Sequence, residues 1–183
     1  MAEAVASGTV LIAIAREAIA ERLGEAQRAP RDDPWLREMA ATFVTLRRSG
    51  ALRGCIGSID ARRSLGEDIA HNARAAAFSD PRFPPVALHE LEGLEVEVSV
   101  LSPRSLVPAA TESEALARLR PGIDGVYLEY GEARATFLPQ VWENIPDPLA
   151  FLSELRLKAE LPARFWHPDL RLTRYTVEKF RDE

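Results

Sequence analysis

The chain has 183 residues, which is the length of one domain or of one domain with a smaller lobe packed on it. Hydrophobic residues make up 46% of it and charged residues 28%, so the chain can fill a core and wholesale disorder is excluded. The formal net charge of −5 opposes binding to polyphosphate backbones, so nucleic-acid recognition would require a local basic surface.

Helices and strands are predicted to alternate in the first half of the chain. An apolar stripe that ends before Gly24 indicates an amphipathic helix, and Ser64 and Glu67 have the spacing of a capping box that opens a second helix. Two β-rich runs around a turn at Gly50 indicate a hairpin. In chain order the predicted elements are a helix over 7–23, strands over 42–46 and 52–58, a helix from Ser64 to about Phe78, and an alternating strand over 94–100.

The second half of the chain is predicted to contain two helices and three strands. Thr111 and Glu114 form another capping-box pattern, and Asp147 with Pro148 has the pattern of an N-cap and a first helical residue. Gly131 joins two β-rich runs. The predicted elements are a short helix from Thr111 that ends at Pro121, strands over 126–130 and 133–138, a helix from Asp147 to about Ala159, and a closing strand over 170–180.

The residues that bind metals and form disulfides are scarce. One cysteine excludes an intramolecular disulfide and any CxxC motif, and the three histidines stand too far apart in sequence for metal-ligand spacing. No apolar segment approaches the length of a membrane span. We therefore expect a cytoplasmic protein with no metal site, no cofactor and no contact with a membrane.

The most informative segment of the sequence is Leu52-Arg53-Gly54-Cys55-Ile56-Gly57-Ser58, which holds the lone cysteine. In an extended strand alternate residues share a face, so Arg53, Cys55 and Gly57 are predicted to point the same way. This places a guanidinium beside a thiol, next to glycines whose backbone N–H groups are easy to approach. The segment is therefore predicted to be a functional site.

Three interpretations of this segment remain open. Arg53 could favour the thiolate of Cys55, which would make it a nucleophile or a redox group. Alternatively, Arg53 and the N–H groups of Gly54 and Gly57 could bind a carboxylate or phosphate while Cys55 only packs as a small buried residue. In the third interpretation Arg53 is an internal strut that pairs with Asp80 or Glu97.

Two neighbouring features bear on the same site. The segment Asp80-Pro81-Arg82-Phe83-Pro84-Pro85 is rigid, because its prolines fix φ, so it either forms a corner or presents Arg82 to a ligand. Five arginines also surround the hairpin, and they form either a ligand-facing patch or a solvated rim. These arginines are Arg47, Arg48, Arg53, Arg62 and Arg63.

Taken together, these motifs resemble the AMMECR domain family, also called protein A of the AmmeMemoRadiSam system. The resemblance covers nearly the whole chain, and its first two motifs are highly specific when they occur together. The matching motifs are 52–57 (LRGCIG), 75–85 (AAAFSDPRFPP), 97–103 (EVSVLSP), 124–125 (DG), 137–143 (FLPQVWE), 157–159 (LKA) and 172–175 (LTRY). The chain departs from the family at Glu160, where glycine is usual, so the preceding helix could end differently and aim Lys158 differently.

The resemblance implies an α+β fold spanning residues 1–183 as one domain with two lobes. An antiparallel sheet flanked by helices is expected to form the larger lobe, with a cleft between it and the smaller lobe near the cysteine motif. The family has no established reaction. Its prokaryotic genes resemble neighbours of Memo-like and radical-SAM proteins, which implies a shared pathway that modifies RNA or a small metabolite.

The functional hypothesis is an enzyme, or an enzyme component, that binds a small anionic or nucleotide-like ligand. The predicted catalytic residue is Cys55, and the predicted ligand-binding residues are Arg53, Gly54, Gly57, Ser58, Asp80 and Arg82. A first alternative is a non-catalytic adaptor that docks a Memo-like or radical-SAM partner through Phe83, Pro84, Trp142 and Trp166. A second is RNA binding through the arginine cluster, which the net charge opposes.

Overall fold

The computed structural model of the chain describes residues 2–25 and 31–182, which form two compact units. Unit 1 comprises Met1–Leu101 and Glu178–Glu183, and unit 2 comprises Ser102–Val177. The described helices are α1 (Ala2–Leu23), α2 (Leu65–Phe78), α3 (Glu112–Arg118) and α4 (Pro148–Lys158). The described strands are β1 (Met39–Arg48), β2 (Ala51–Gly57), β3 (Arg63–Ser64), β4 (Leu94–Leu101), β5 (Ser105–Leu106), β6 (Gly125–Tyr130), β7 (Ala133–Phe137), β8 (Arg171–Tyr175) and β9 (Val177–Arg181).

Unit 1 is a sheet with helices on one face. Its strand order is β2-β1-β4-β9, with β3 paired to the start of β1, and β1 runs antiparallel to both β2 and β4. Alternation along the strands sends Val44, Leu46, Val96 and Val98 into one buried cluster with the apolar faces of α1 and α2. The polar residues that alternate with them therefore lie on the other face of the sheet.

Gly54 sets the distance between α2 and the sheet. A Cβ atom at this position would overlap the backbone carbonyl oxygen of Ala76 on α2. Ala73, Ala76 and Ala77 lie on the same side of this helix and are buried. The alanine-rich face and the glycine together allow the helix backbone to lie directly on strand β2.

Unit 2 is a second antiparallel sheet with its own core. Its strand order is β5-β8-β6-β7, and Leu128 and Leu172 face each other across β6 and β8 within a buried cluster that includes residues of α4. Trp142 stacks on Phe151 of α4 with ring centroids 3.7 Å apart and donates its Nε1–H to the carbonyl of Asp124. These contacts fix the loop after β7 on the helix.

The structure confirms the α+β fold class, the antiparallel sheets and the helices that accompany them. The capping box of Ser64 and Glu67 forms as predicted at the start of α2. One prediction was wrong in detail: the closing strand over 170–180 is two strands in two different sheets. The break falls at Thr176, whose N–H and C=O bond to Ser102 instead of to a neighbouring strand. The cleft between the two lobes stays a prediction.

Candidate functional site

Cys55 lies near the middle of β2, the edge strand of the unit 1 sheet. The register of the strands puts Thr45 directly opposite Cys55 and Glu97 directly opposite Thr45, so the three form one row across the sheet. This row is on the face opposite the α1 and α2 helices, because Leu46 and Val96, the next residues along, face the helical core. The thiol is partly exposed, and its Sγ lies 3.3 Å from Oγ1 of Thr45.

The backbone of Cys55 points away from β1. Ser58 donates its N–H to Thr42, and hydrogen-bonded and non-hydrogen-bonded pairs alternate in an antiparallel ladder, so the Thr45–Cys55 pair is of the non-hydrogen-bonded type. The N–H and C=O of Cys55 would therefore be unpaired at the sheet edge. Asp80 accepts from this N–H at 2.9 Å, and Nη2 of Arg82 donates to this C=O at 3.2 Å.

Asp80 and Arg82, which bond to the backbone of Cys55 at this edge, also form an ion pair with each other through two hydrogen bonds. Nε and Nη2 of Arg82 donate to the two carboxylate oxygens of Asp80 at 2.9 and 2.6 Å. The Asp80 side chain is buried and that of Arg82 is 53% exposed. The hydrogen bonds from Arg82, and next to them the N–H of Cys55, hold the pKa of Asp80 well below its usual range despite its burial. Asp80 is therefore a fixed negative charge that orients Arg82.

Arg53 is directed to a different acid from those predicted. The register of β1 and β2 shifts next to Leu46, which leaves Arg53 as an extra residue with no partner on β1. Its Nε and Nη2 donate to Glu90 at 2.9 and 3.0 Å, and both side chains are nearly nine-tenths buried. Glu90 also accepts from the N–H of Ala87.

The Arg53–Glu90 pair is an internal strut. The hydrogen bonds from Arg53 and then from Ala87 lower the pKa of Glu90 from its ordinary value of 4.5 to about 2, and Glu90 raises the pKa of Arg53. The structure therefore corrects the expected partners Asp80 and Glu97: the first pairs with Arg82 and the second with Arg181. A guanidinium neutralised by Glu90 is a weak source of positive potential for the thiol of Cys55.

The two glycines of the segment differ in what they present. Gly54 pairs opposite Leu46, so the ladder alternation turns its N–H toward β1, and its Cα lies against α2. Gly57 pairs opposite Phe43, so its N–H faces outward on the same edge as that of Cys55. The ring of Phe43 fills the space that a Cβ at Gly57 would take. Of the two predicted anion donors, Gly57 has the suitable direction.

Ser58 belongs to a buried polar cluster that sequence reasoning missed. Asp68 and Asn72 lie one turn apart on α2, and both are buried. The carboxylate of Asp68 accepts from the N–H and hydroxyl of Thr42 and from the hydroxyl of Ser58, while Asn72 donates to the carbonyl of Thr42. The signal in the sequence was two polar residues spaced i, i+4 within an otherwise apolar helix stripe. The cluster joins α2 to β1 and to the end of β2.

The arginine cluster is mostly engaged by acids. Arg48 and Arg53 share Glu90, Arg62 pairs with Asp60, and Arg63 lies 3.4 Å from Asp68. A surface that neutralises its own guanidiniums offers little net charge to a phosphate backbone. Among residues 2–25 and 31–182, no group of three His, Cys, Asp or Glu side chains is arranged to hold a metal ion. No helix in those residues combines the length and apolarity needed to cross a membrane.

The chain is an α+β protein whose edge strand β2 is hydrogen-bonded to the Asp80–Arg82 pair. Comparison with known proteins identifies the family to which it belongs. The family model AMMECR1 matches residues 12–180, and the chain belongs to this family. A protein of Methanothermobacter thermautotrophicus is 38% identical over 185 residues, covering 96% of this chain and 94% of its own. The crystal structure of the uncharacterized protein PH0010 from Pyrococcus horikoshii is similar with a TM-score of 0.83 at 39% identity, covering 96% of this chain and 91% of that one. The names of these relatives state no activity.

Proposed function

We propose that the protein binds a small anionic or nucleotide-like ligand at the outer edge of β2, as an enzyme or enzyme component of a modification pathway shared with Memo-like and radical-SAM proteins in the cytoplasm. The ligand would lie beside Cys55, with Arg82 and Gly57 as its principal contacts. The observation that carries this proposal is the half-exposed guanidinium of Arg82, which a buried carboxylate holds in one orientation next to the cysteine.

Arg82 has hydrogen-bond donors to spare. Its Nε–H and both Nη2–H bonds serve Asp80 and the carbonyl of Cys55. In the part of the chain that the structure describes, Nη1 has no hydrogen-bond acceptor. A guanidinium fixed on one side and exposed on the other suits a carboxylate or phosphate oxygen, because little side-chain entropy remains to be lost on binding.

Gly57 supplies a second donor along the same edge. Its outward N–H lies two residues from that of Cys55, which is about 7 Å along an extended strand. An anion with oxygens on more than one side can accept from Nη1 of Arg82 and from this N–H. By the same ladder alternation the C=O of Gly57 faces outward and can accept a hydrogen bond from a ligand hydroxyl or base, which is why a nucleotide-like ligand is included.

The structure supports a role for Cys55 in contacting the ligand better than a role in covalent catalysis. The hydrogen-bond partner of its Sγ is the hydroxyl of Thr45, which is a poor general base. Arg82 is the cation hydrogen-bonded to the backbone of Cys55, whereas Arg53 is paired with Glu90. Catalysis by Cys55 would therefore depend on a base that the ligand or a partner brings.

The ligand site is tested by alkylating the native thiol with neutral iodoacetamide and with anionic iodoacetate. We expect both reagents to react with the wild type. In Arg82→Gln the ratio of the iodoacetate rate to the iodoacetamide rate should fall several-fold, because the guanidinium that attracts the anionic reagent is missing. Arg62→Gln, at an exposed arginine outside this edge, is the matched control and should leave the ratio unchanged. AMP and inorganic phosphate should slow alkylation in the wild type, and adenosine should not.

Three results would overturn the proposal. A thiol that stays unlabelled until the protein is denatured has no access to a ligand. A rate ratio equal in the wild type and Arg82→Gln would remove the anion-binding role of Arg82. Protection by adenosine as well as by AMP would assign recognition to the nucleoside instead of the phosphate.

The adaptor alternative has less support. Of the four residues proposed to dock a Memo-like or radical-SAM partner, Trp142 is 3% exposed and stacked on Phe151, and the guanidinium of Arg82 lies over the ring of Phe83. Trp166 spends its Nε1–H on the carbonyl of Ala110. The buried ring of Trp142 therefore offers no surface to a partner.

A further inference from the structure

We propose that unit 1 carries a second binding site, for a free α-amino acid, in a groove at the hairpin end of its sheet. The groove has a volume of about 580 Å³. It is lined by Arg47, Gly50, Glu95, Glu97, Arg181 and Asp182. A volume between about 300 and 1,000 Å³ is usual for sites of small molecules.

Most of the charges in this groove are already compensated within the protein. Asp182 accepts both from the guanidinium of Arg16 and from the backbone N–H of Val96. Glu97 pairs with Nε of Arg181 across the sheet. These groups form the walls of the groove, and their charges cancel in pairs.

Arg47 and Glu95 are different, because neither has an ion-pair partner within residues 2–25 and 31–182. They are directly opposite on β1 and β4, and both side chains contact the backbone of Gly50 at the turn of the hairpin. Nη1 of Arg47 donates to the carbonyl of Gly50 at 3.3 Å, and Glu95 accepts from the N–H of Gly50 at 3.1 Å. Both side chains are exposed and keep further donors or acceptors for a ligand.

This arrangement selects a ligand that carries both charges. A simple anion would be attracted by Arg47 but repelled by the carboxylate of Glu95. A simple cation would be attracted by Glu95 but repelled by Arg47. The ammonium and carboxylate of an α-amino acid are held on neighbouring atoms, so one can face Glu95 while the other faces Arg47. The remaining volume accommodates a side chain along Glu97 and Arg181.

Calorimetry and amide chemical shifts of the full chain test the proposal with L-leucine, L-tyrosine, L-glutamate and L-lysine added singly. We expect at least one of them to bind and to shift the amide signals of Gly50, Glu95 and Val96. The N-acetyl and the carboxamide derivatives of that amino acid should each bind at least about tenfold more weakly, because each has lost one charge.

Two variants connect the binding to the groove. Arg47→Gln and Glu95→Gln should each weaken binding by about tenfold or more, which corresponds to about 1.4 kcal/mol, because each removes one of the two charges that face the ligand. Arg134→Gln, at an exposed arginine of unit 2, should bind as the wild type does. Shifts absent with all four amino acids, or equal affinity for the N-acetylated form, would overturn the proposal.

This site is independent of the one proposed at Cys55. Arg47→Gln should leave the alkylation rates of Cys55 unchanged, and Arg82→Gln should leave amino-acid affinity unchanged. The two proposals can therefore fail separately, because each has its own variant and its own measurement.

Discussion

The carboxylate of Asp80 accepts a hydrogen bond at 2.9 Å from the backbone N–H of Cys55, twenty-five residues earlier in the chain. Together with the Arg82 bond to the carbonyl of Cys55, this contact gives the edge strand what a neighbouring strand would otherwise provide. The two most specific motifs of the sequence are thus joined at one residue. The rigid proline turn serves as a partial strand partner.

Removing Asp80 should destabilise unit 1 and expose its edge. Asp80→Ala leaves the N–H of Cys55 unpaired and Arg82 without its acid, and we expect a loss of about 2–3 kcal/mol in the free energy of unfolding by urea. Because the edge of β2 is then open, the variant should also self-associate in size-exclusion chromatography with light scattering. Asp169→Ala, an exposed acid, should stay within about 0.5 kcal/mol of the wild type and remain unassociated.

Glu90 should make stability depend on acid pH. Its pKa falls from 4.5 to about 2 on folding, so its contribution is fully present above the unfolded pKa and is lost as the pH falls toward about 2. Glu90→Gln should cost about 2–4 kcal/mol near neutral pH, and the difference from the wild type should narrow through that window. Urea unfolding at several pH values measures this. A difference that stays constant with pH would contradict the Arg53–Glu90 strut, and Glu154→Gln is the exposed control.

Gly54 should not tolerate a methyl group. In Gly54→Ala the new Cβ meets the carbonyl oxygen of Ala76, so helix α2 must move off the strand, and we expect a loss of about 1–3 kcal/mol. Gly66→Ala is the matched control, because a Cβ there finds only ordinary contacts with Leu36 and alanine favours the helix. Thermal unfolding compares the two variants. Equal melting temperatures would show that the close approach of α2 is not required.

Asp68 should be the most sensitive residue of the buried polar cluster. Asp68→Ala removes the acceptor of the N–H and hydroxyl of Thr42 and of the hydroxyl of Ser58, while Asn72 keeps the carbonyl of Thr42, and we expect a cost of about 3–5 kcal/mol. Glu67→Ala, one residue earlier, removes the exposed capping box and should cost about 1 kcal/mol. Urea titration of both variants measures the two losses in free energy of unfolding. Similar costs would mean that the cluster is no more than a helix cap.

Local patterns predicted the elements of the site better than its contacts. The hairpin, the α2 capping box and the common face of Cys55 and Gly57 follow from alternation and spacing along a few residues. The acid that pairs with Arg53 could not be predicted in this way. Glu90 lies in a short 3-10 turn far along the chain, and a shift in strand register is what directs Arg53 to it.

The role of the Asp80–Arg82 turn also could not be predicted from local sequence alone. Its rigidity was evident from its prolines, but its contact with Cys55 requires β2 to be an edge strand, and strand order is a property of the whole sheet. The same limit applies to Thr176. Its neighbours are β-rich on both sides, and only the pairing of β8 and β9 with different sheets explains the break.

The connectivity of the two sheets has one further consequence. The chain leaves the first sheet after β4 and returns to it in the adjacent strand β9, and Ser102 and Thr176 are bonded to each other where it leaves and returns. All of unit 2 is therefore a nested module whose two ends meet. During synthesis the first sheet must wait for the final residues to complete its edge, whereas the module can fold as soon as it emerges. A tight turn joining β4 directly to β9 should yield a shortened protein that still contains both sites proposed above.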